Sequence, residues 1–157
     1  MVRRRSDTAC LQIMDLDGFK KINDSLGHHI GDEVLREIGR RLGAIGRTAD
    51  TIVRLGGDEF ADLMETGATV EGATIVANKV IQAIKQPVVT RSSVFCIGVS
   101  IGIAMFTGAN ADMESIVRNA DAAMYAAKRA GGGIRVYEAE PNPGATVVGF
   151  GKARKRA

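Results

Sequence analysis

Residues 94–106 constrain the fold more tightly than any other part of the chain. Phe95, Ile97, Val99, Ile101, Ile103 and Met105 occupy every second position, the period of a strand with one face against a core. Between them lie Cys96, Gly98, Ser100, Gly102 and Ala104. All are small, so the opposite face of this strand can take another layer at close range.

The remaining elements read around it. Residues 9–16 form an apolar strand that runs into Asp15-Leu16-Asp17-Gly18. Residues 19–26 read as a short helix, broken over 27–31 by Gly27-His28-His29-Ile30-Gly31. A second helix starts near Asp32, an acceptable N-cap, with Val34, Leu35, Ile38, Leu42 and Ile45 on one face. Residues 51–55 and 59–64 flank Gly56-Gly57, the chemistry of a hairpin whose turn needs positive φ. Residues 69–86 give a helix with Ala73, Val76, Ala77, Val80 and Ile84 inward, stopped before Pro87. Residues 112–130 give another, with Met113, Ile116, Val117, Ala120, Met124 and Ala127 inward. Gly131-Gly132-Gly133 ends it, and residues 134–137 form a last strand. This order of a hairpin mixed with helical crossovers predicts an α+β fold, a mainly antiparallel sheet with helices packed against it.

At 157 residues the chain suits one domain with a single core. We divide it into a basic lead over 1–8, a folded body over 9–138 and a Pro/Gly/basic tail over 139–157. The pI of 9.1 suggests nucleic acid, but the distribution of charge argues against it. Seven of the 21 basic residues are Arg3, Arg4, Arg5, Lys152, Arg154, Lys155 and Arg156, which leaves the rest of the chain 14 against 18 acidic residues. With two Tyr and no Trp there is no aromatic platform either. No apolar run approaches the ~20 residues that span a bilayer. The basic start is not followed by a signal-peptide core, so the domain is expected to be cytoplasmic. Cys10 and Cys96 sit in strand-like runs without metal-ligand spacing and are expected as buried, reduced thiols.

Asp15 and Asp17 are two apart at a strand end, so both side chains leave on one face. Asp58 and Glu59 follow the glycine turn. If the two strands are neighbours, these carboxylates gather at one end of the sheet, where crowded like charges favour a cation. An oxygen-only set suits Mg²⁺ (or Mn²⁺) sharing its shell with substrate phosphates. Each piece alone also fits a turn, a cap or a solvated hairpin tip.

Four blocks carry a family resemblance. They are Asp15-Leu16-Asp17-Gly18-Phe19-Lys20-Lys21-Ile22-Asn23-Asp24 continuing through Gly27-His28 to Gly31-Asp32-Glu33-Val34-Leu35; Arg54-Leu55-Gly56-Gly57-Asp58-Glu59-Phe60; Ser100-Ile101-Gly102-Ile103-Ala104; and Ala120-Asp121 through Tyr125 to Lys128. In this order and spacing the chain resembles the GGDEF family of diguanylate cyclases over about residues 9–138. The resemblance implies a nucleotidyl-cyclase-like palm. It also implies condensation of two GTP into cyclic di-GMP with release of two pyrophosphates, each subunit of a homodimer presenting one GTP.

Position by position, the resemblance implies Asp15 and Asp58 as metal ligands, with the Leu16 carbonyl and Glu59 as further ligands. Asp58 is also the implied proton acceptor. Lys20, with the amides around Phe19, is implied to contact phosphate at a helix start, and Lys128 to grip phosphate from the last helix. Asn23 and Asp32 match the guanine-reading pair, amide toward O6 and N7, carboxylate toward N1–H and the 2-amine. His28 matches a nucleotide contact, though it also suits a polar turn, and Leu35 matches a base-pocket wall as well as plain core. Arg47-Thr48-Ala49-Asp50 matches the R-x-x-D site that binds cyclic di-GMP as inhibitor.

Two positions depart from the pattern. The helical segment with a D-x-L-T-x-L-x-N-R motif that normally precedes the first strand has no counterpart before Ala9. Gly132 stands where an arginine usually partners the lysine. The alternative expectation is therefore a weak or inactive domain that binds GTP or cyclic di-GMP and regulates a neighbouring output domain.

Overall fold

The computed structural model describes residues 7–46, 51–110 and 112–139. Seven strands and four α-helices follow in the order β1 (Thr8–Asp17), α1 (Phe19–Leu26), α2 (His28–Ile45), β2 (Thr51–Gly56), β3 (Glu59–Met64), α3 (Val70–Lys85), β4 (Val88–Val89), β5 (Val94–Phe95), β6 (Gly98–Thr107), α4 (Met113–Arg129) and β7 (Gly133–Val136). The main sheet is ordered β2-β3-β1-β6-β7. All its pairings are antiparallel except β6 with β7, as the α+β reading expects. No helix among the described residues is long and apolar enough to cross a membrane.

β1 lies at the centre, and its alternation separates two cores. Cys10, Met14 and Leu16 join Val34, Ile38 and Leu42 of α2 and Ala73, Ala77, Val80 and Ile84 of α3. Ala9, Leu11 and Ile13 face the other way, onto Ile116, Ala120 and Met124 of α4. β6 sends Val99, Ile101 and Ile103 into the first core and Phe106 into the second. Its small residues admit α4 so closely that a Cβ on Gly102 would lie 2.1 Å from the Ala120 carbonyl oxygen and 2.3 Å from the Met124 nitrogen.

The strand expected over 94–106 is two. β6 starts at Gly98 because its partner β1 ends at Asp17, the residue it pairs. Without a β1 neighbour, Val94 and Phe95 pair with β4 in a separate two-stranded sheet. Cys96 falls outside both sheets and is exposed, while Cys10 is buried. Asp32 is not an N-cap. Gly27 alone, at φ 87° and ψ 162°, breaks the chain, and α2 is already helical from His28. In α4 the buried stripe runs through Ile116, Ala120, Ala123, Met124 and Ala127. Val117 lies at the edge of that stripe and Met113 begins the helix, so both are exposed rather than inward.

α2 and α3 are joined by one guanidinium. Arg41 donates to the carbonyls of Ala83, Gln86 and Pro87 at 2.8–2.9 Å, satisfying groups that a helix end leaves unpaired. Glu37 holds Arg41 from below at 2.8 Å. Hydrogen bonds from Arg40 and Arg41 draw the Glu37 carboxyl down to about 2. The β4–β5 hairpin is tied to α2 as well, through Arg91 and Glu33.

Two glycine substitutions separate close packing from open helix. Gly102→Ala drives a methyl into backbone that cannot yield, and is expected to lower unfolding free energy by about 3 kcal/mol in a urea titration. Gly39 has nothing within 4 Å of an added Cβ. Gly39→Ala is expected to raise stability by roughly 0.5–1 kcal/mol in the same assay.

Candidate active site

The site is assembled where β1 ends and the β2–β3 hairpin turns. Asp15 pairs across with Glu59, and the next rung is Leu16 N–H donating to the Asp58 carbonyl at 3.2 Å. The turn that places Asp58 uses Gly57 at φ 52°, and Arg54 Nε donates to the Gly57 carbonyl at 2.9 Å to hold it. The expected neighbourhood of the two strands is therefore present, and it brings Asp15, Asp58 and Glu59 together. Asp17 leans toward β6, where its Oδ1 accepts from Ser100 Oγ at 2.8 Å.

α4 supplies the facing charges. Lys128 Nζ donates to Asp15 Oδ2 at 2.9 Å, so this lysine lies against a carboxylate. Burial disfavours its charge, yet the hydrogen bond to Asp15 and the charges of Asp15, Asp58 and Asp17 prevail and raise its pKa. Asp58 is raised by burial and then by the adjacent Asp15 carboxylate. Glu59 is raised by burial and then by Asp121, Asp15 and Asp58. Asp121 is the member of this cluster that motif reading did not assign. It lies seven residues before Lys128, a spacing that returns to the same helix face.

A divalent cation fits this donor set. Asp15 Oδ1 is buried and has no hydrogen-bond partner, and its acidic neighbours hold their protons more tightly than free carboxyls do. Both are signs of negative charge short of a counter-ion. Among the described residues no three His, Cys, Asp or Glu side chains form a ready-made cage. The fit is to an ion that takes a few carboxylates and completes its shell with backbone, water and phosphate oxygens.

The expected nucleotide contacts are distributed around this centre. Gly18, at φ 79°, precedes α1, whose first turn has no side-chain cap. Lys21 N–H donates to the Gly18 carbonyl at 3.1 Å, so the amides ahead of it are the ones that can meet an anion, with Lys20 exposed beside them and Phe19 buried beneath. Asp32 and Leu35 line a cavity of about 440 Å³ between α2 and β2, with Phe60 and Arg54 on its other walls. Leu35 is thus both core and cavity wall. Asn23 is not on that lining, and its side-chain oxygen is buried without a partner. His28 is exposed at the start of α2. Arg47 and Asp50 lie outside the described residues.

The raised carboxyls have a consequence for stability. A carboxyl that binds its proton more tightly folded than unfolded makes the fold lose stability as pH rises from the ordinary carboxylate range through the raised value. Asp58→Asn is therefore expected to raise the melting temperature at neutral pH without divalent cations. The difference should vanish below about pH 3, where Asp58 is protonated in both states. Melting curves at the two pH values check this.

Comparison with known proteins agrees with the geometry. The family described as "Diguanylate cyclase, GGDEF domain" matches residues 1–133. The bifunctional diguanylate cyclase/cyclic di-GMP phosphodiesterase MucR of Pseudomonas aeruginosa is 44% identical over 133 residues, 84% of this chain and 19% of that protein. The chain thus spans about a fifth of this relative's length. The crystal structure of the GGDEF domain of TpbB from Pseudomonas aeruginosa superposes with a TM-score of 0.78 at 36% identity, covering 85% of this chain and 84% of that one. The GGDEF domain of DgcB from Caulobacter crescentus, solved in complex with c-di-GMP, gives a TM-score of 0.78 at 29% identity over 85% and 80% of the two chains. The chain belongs to the GGDEF domain family of diguanylate cyclases.

Proposed function

We propose that this domain is a diguanylate cyclase that joins two GTP molecules into cyclic di-GMP as a homodimer. One observation carries the reading: Asp15, Asp58 and Glu59 converge opposite Lys128, beside the uncapped start of α1. A domain that only senses nucleotide has no need for such a cluster, which costs stability and is productive only with a cation and a polyphosphate.

Asp15 and Asp58, with Glu59 and the Leu16 carbonyl, would hold Mg²⁺ or Mn²⁺, which when bound supplies charge neutralisation and a lowered pKa for the ribose 3′-hydroxyl. The α1 amides and Lys20 bind phosphate oxygens. Lys128 exchanges Asp15 for phosphate as the triphosphate enters. Asp32 accepts from guanine N1–H and the 2-amine, Asn23 donates toward O6 and N7, and Leu35 packs on the base. His28 borders the nucleotide. Asp58, its proton affinity raised by burial and by Asp15, takes the 3′-hydroxyl proton. Two subunits are required because one bound GTP cannot close a two-nucleotide ring.

The regulatory reading has one observation in its favour. Gly132 adopts φ 103°, and a Cβ there would lie 3.0 Å from Asp17 Oδ2. The turn is shaped for glycine, so Lys128 grips the phosphates without an arginine partner.

Incubation of the purified chain with GTP and Mg²⁺, followed by chromatography of the nucleotides, separates the readings. Cyclic di-GMP is expected, at a rate steeper than linear in chain concentration; bound nucleotide without product supports the regulatory domain. Asp58→Ala is expected to cut turnover at least ~10²-fold while remaining folded by circular dichroism, and an unchanged rate removes its catalytic role. Arg47→Ala is expected to relieve inhibition by added cyclic di-GMP, seen as linear progress curves where the parent slows.

A further inference from the structure

α1 and α2 meet across a stack of three residues spaced by four. Gly27 N–H donates to the Asn23 carbonyl at 2.9 Å, and Gly31 N–H donates to the Gly27 carbonyl at 3.3 Å. Gly31 is buried inside α2, and its φ is an ordinary helical one, so backbone freedom does not explain a glycine there. Space does. A Cβ on Gly31 would lie 1.8 Å from Asn23 Oδ1, 3.0 Å from Asn23 Cγ and 3.2 Å from Phe19 Cζ. The Asn23 amide is seated in the volume that any other residue's first carbon would fill.

We propose that Gly31 is a specificity-determining positioning residue: its bare Cα seats the Asn23 amide so that the amino group faces the guanine. The inference rests on the reading of Asn23 as the group that meets guanine O6 and N7. Asn23 is half-buried, and the buried, unpartnered atom is its oxygen. With the oxygen turned in against Gly31, the nitrogen is the group left to donate outward, and O6 and N7 are both acceptors. A side chain at Gly31 expels the amide from this seat and turns the donor away from the base. Asp32 follows directly in α2, so this glycine also sets the distance between the two base-reading side chains across the Gly27 break.

The test is a double-mutant cycle on the full chain, with binding of GTP, 7-deaza-GTP and 6-thio-GTP measured by calorimetry for wild type, Asn23→Ala, Gly31→Ala and the pair. The analogues remove the N7 acceptor and weaken the O6 acceptor. Wild type is expected to prefer GTP over at least one of them by about tenfold. Both single variants are expected to lose that preference, and the pair to bind GTP no worse than Asn23→Ala alone. Loss of preference in Asn23→Ala with its retention in Gly31→Ala overturns the Gly31 assignment and leaves the Asn23 reading standing. Retention in both overturns the Asn23 reading and the inference with it. Losses of GTP affinity that multiply in the pair also overturn the assignment, because independent structural damage adds. If Gly31→Ala does not fold, melting of the pair decides. Recovery to the Asn23→Ala melting temperature supports the seat, and failure to recover overturns it.

Discussion

The close approach of α4 to the sheet at Gly102 is the contact on which the site depends. A helix held one side chain further away could not bring Lys128 down to Asp15, nor Asp121 within electrostatic reach of Glu59. The same contact makes the second core, in which Ile116, Ala120 and Met124 meet Ala9, Leu11 and Ile13. Packing and charge are thus fixed together. The helix that completes one apolar layer also delivers the cation that makes three adjacent acids tolerable.

That lysine explains how the acidic cluster persists. Asp15, Asp58 and Glu59 repel one another, and an ammonium at 2.9 Å from Asp15 Oδ2 answers part of that charge. It cannot answer all of it, since Asp15 Oδ1 remains buried without a partner and the Asp58 and Glu59 carboxyls still hold protons more firmly than free acids. The domain carries an excess of negative charge there that Lys128 alone does not neutralise. Stability is given up at this end of the sheet.

How much of this could be read from the chain varies with how local the signal is. The alternation of β6 announced both its faces, and Gly56-Gly57 announced the hairpin. The strand's start could not be read, because Gly98 is chosen by the end of β1 at Asp17, some 80 positions away. For the same reason Cys96 was misplaced into the interior. Two glycines bound the stretch between α1 and α2, and periodicity does not tell that Gly27 breaks the helix while Gly31 only clears space for Asn23. The carboxylates of the site were legible as short motifs, whereas the pairing of Lys128 with Asp15, across 113 residues, is a product of topology. Asp121 had no motif role to betray it and is visible through its spacing from Lys128.

Arg41 has a mechanical consequence. By holding the Ala83, Gln86 and Pro87 carbonyls at once, it welds the end of α3 to the C-terminal part of α2, and Glu33 with Arg91 fastens the small hairpin to the same block. The eight residues of α1 sit on that same block: Phe19 is buried in the core that α2 and α3 share, and the Asn23 amide lies against Gly31.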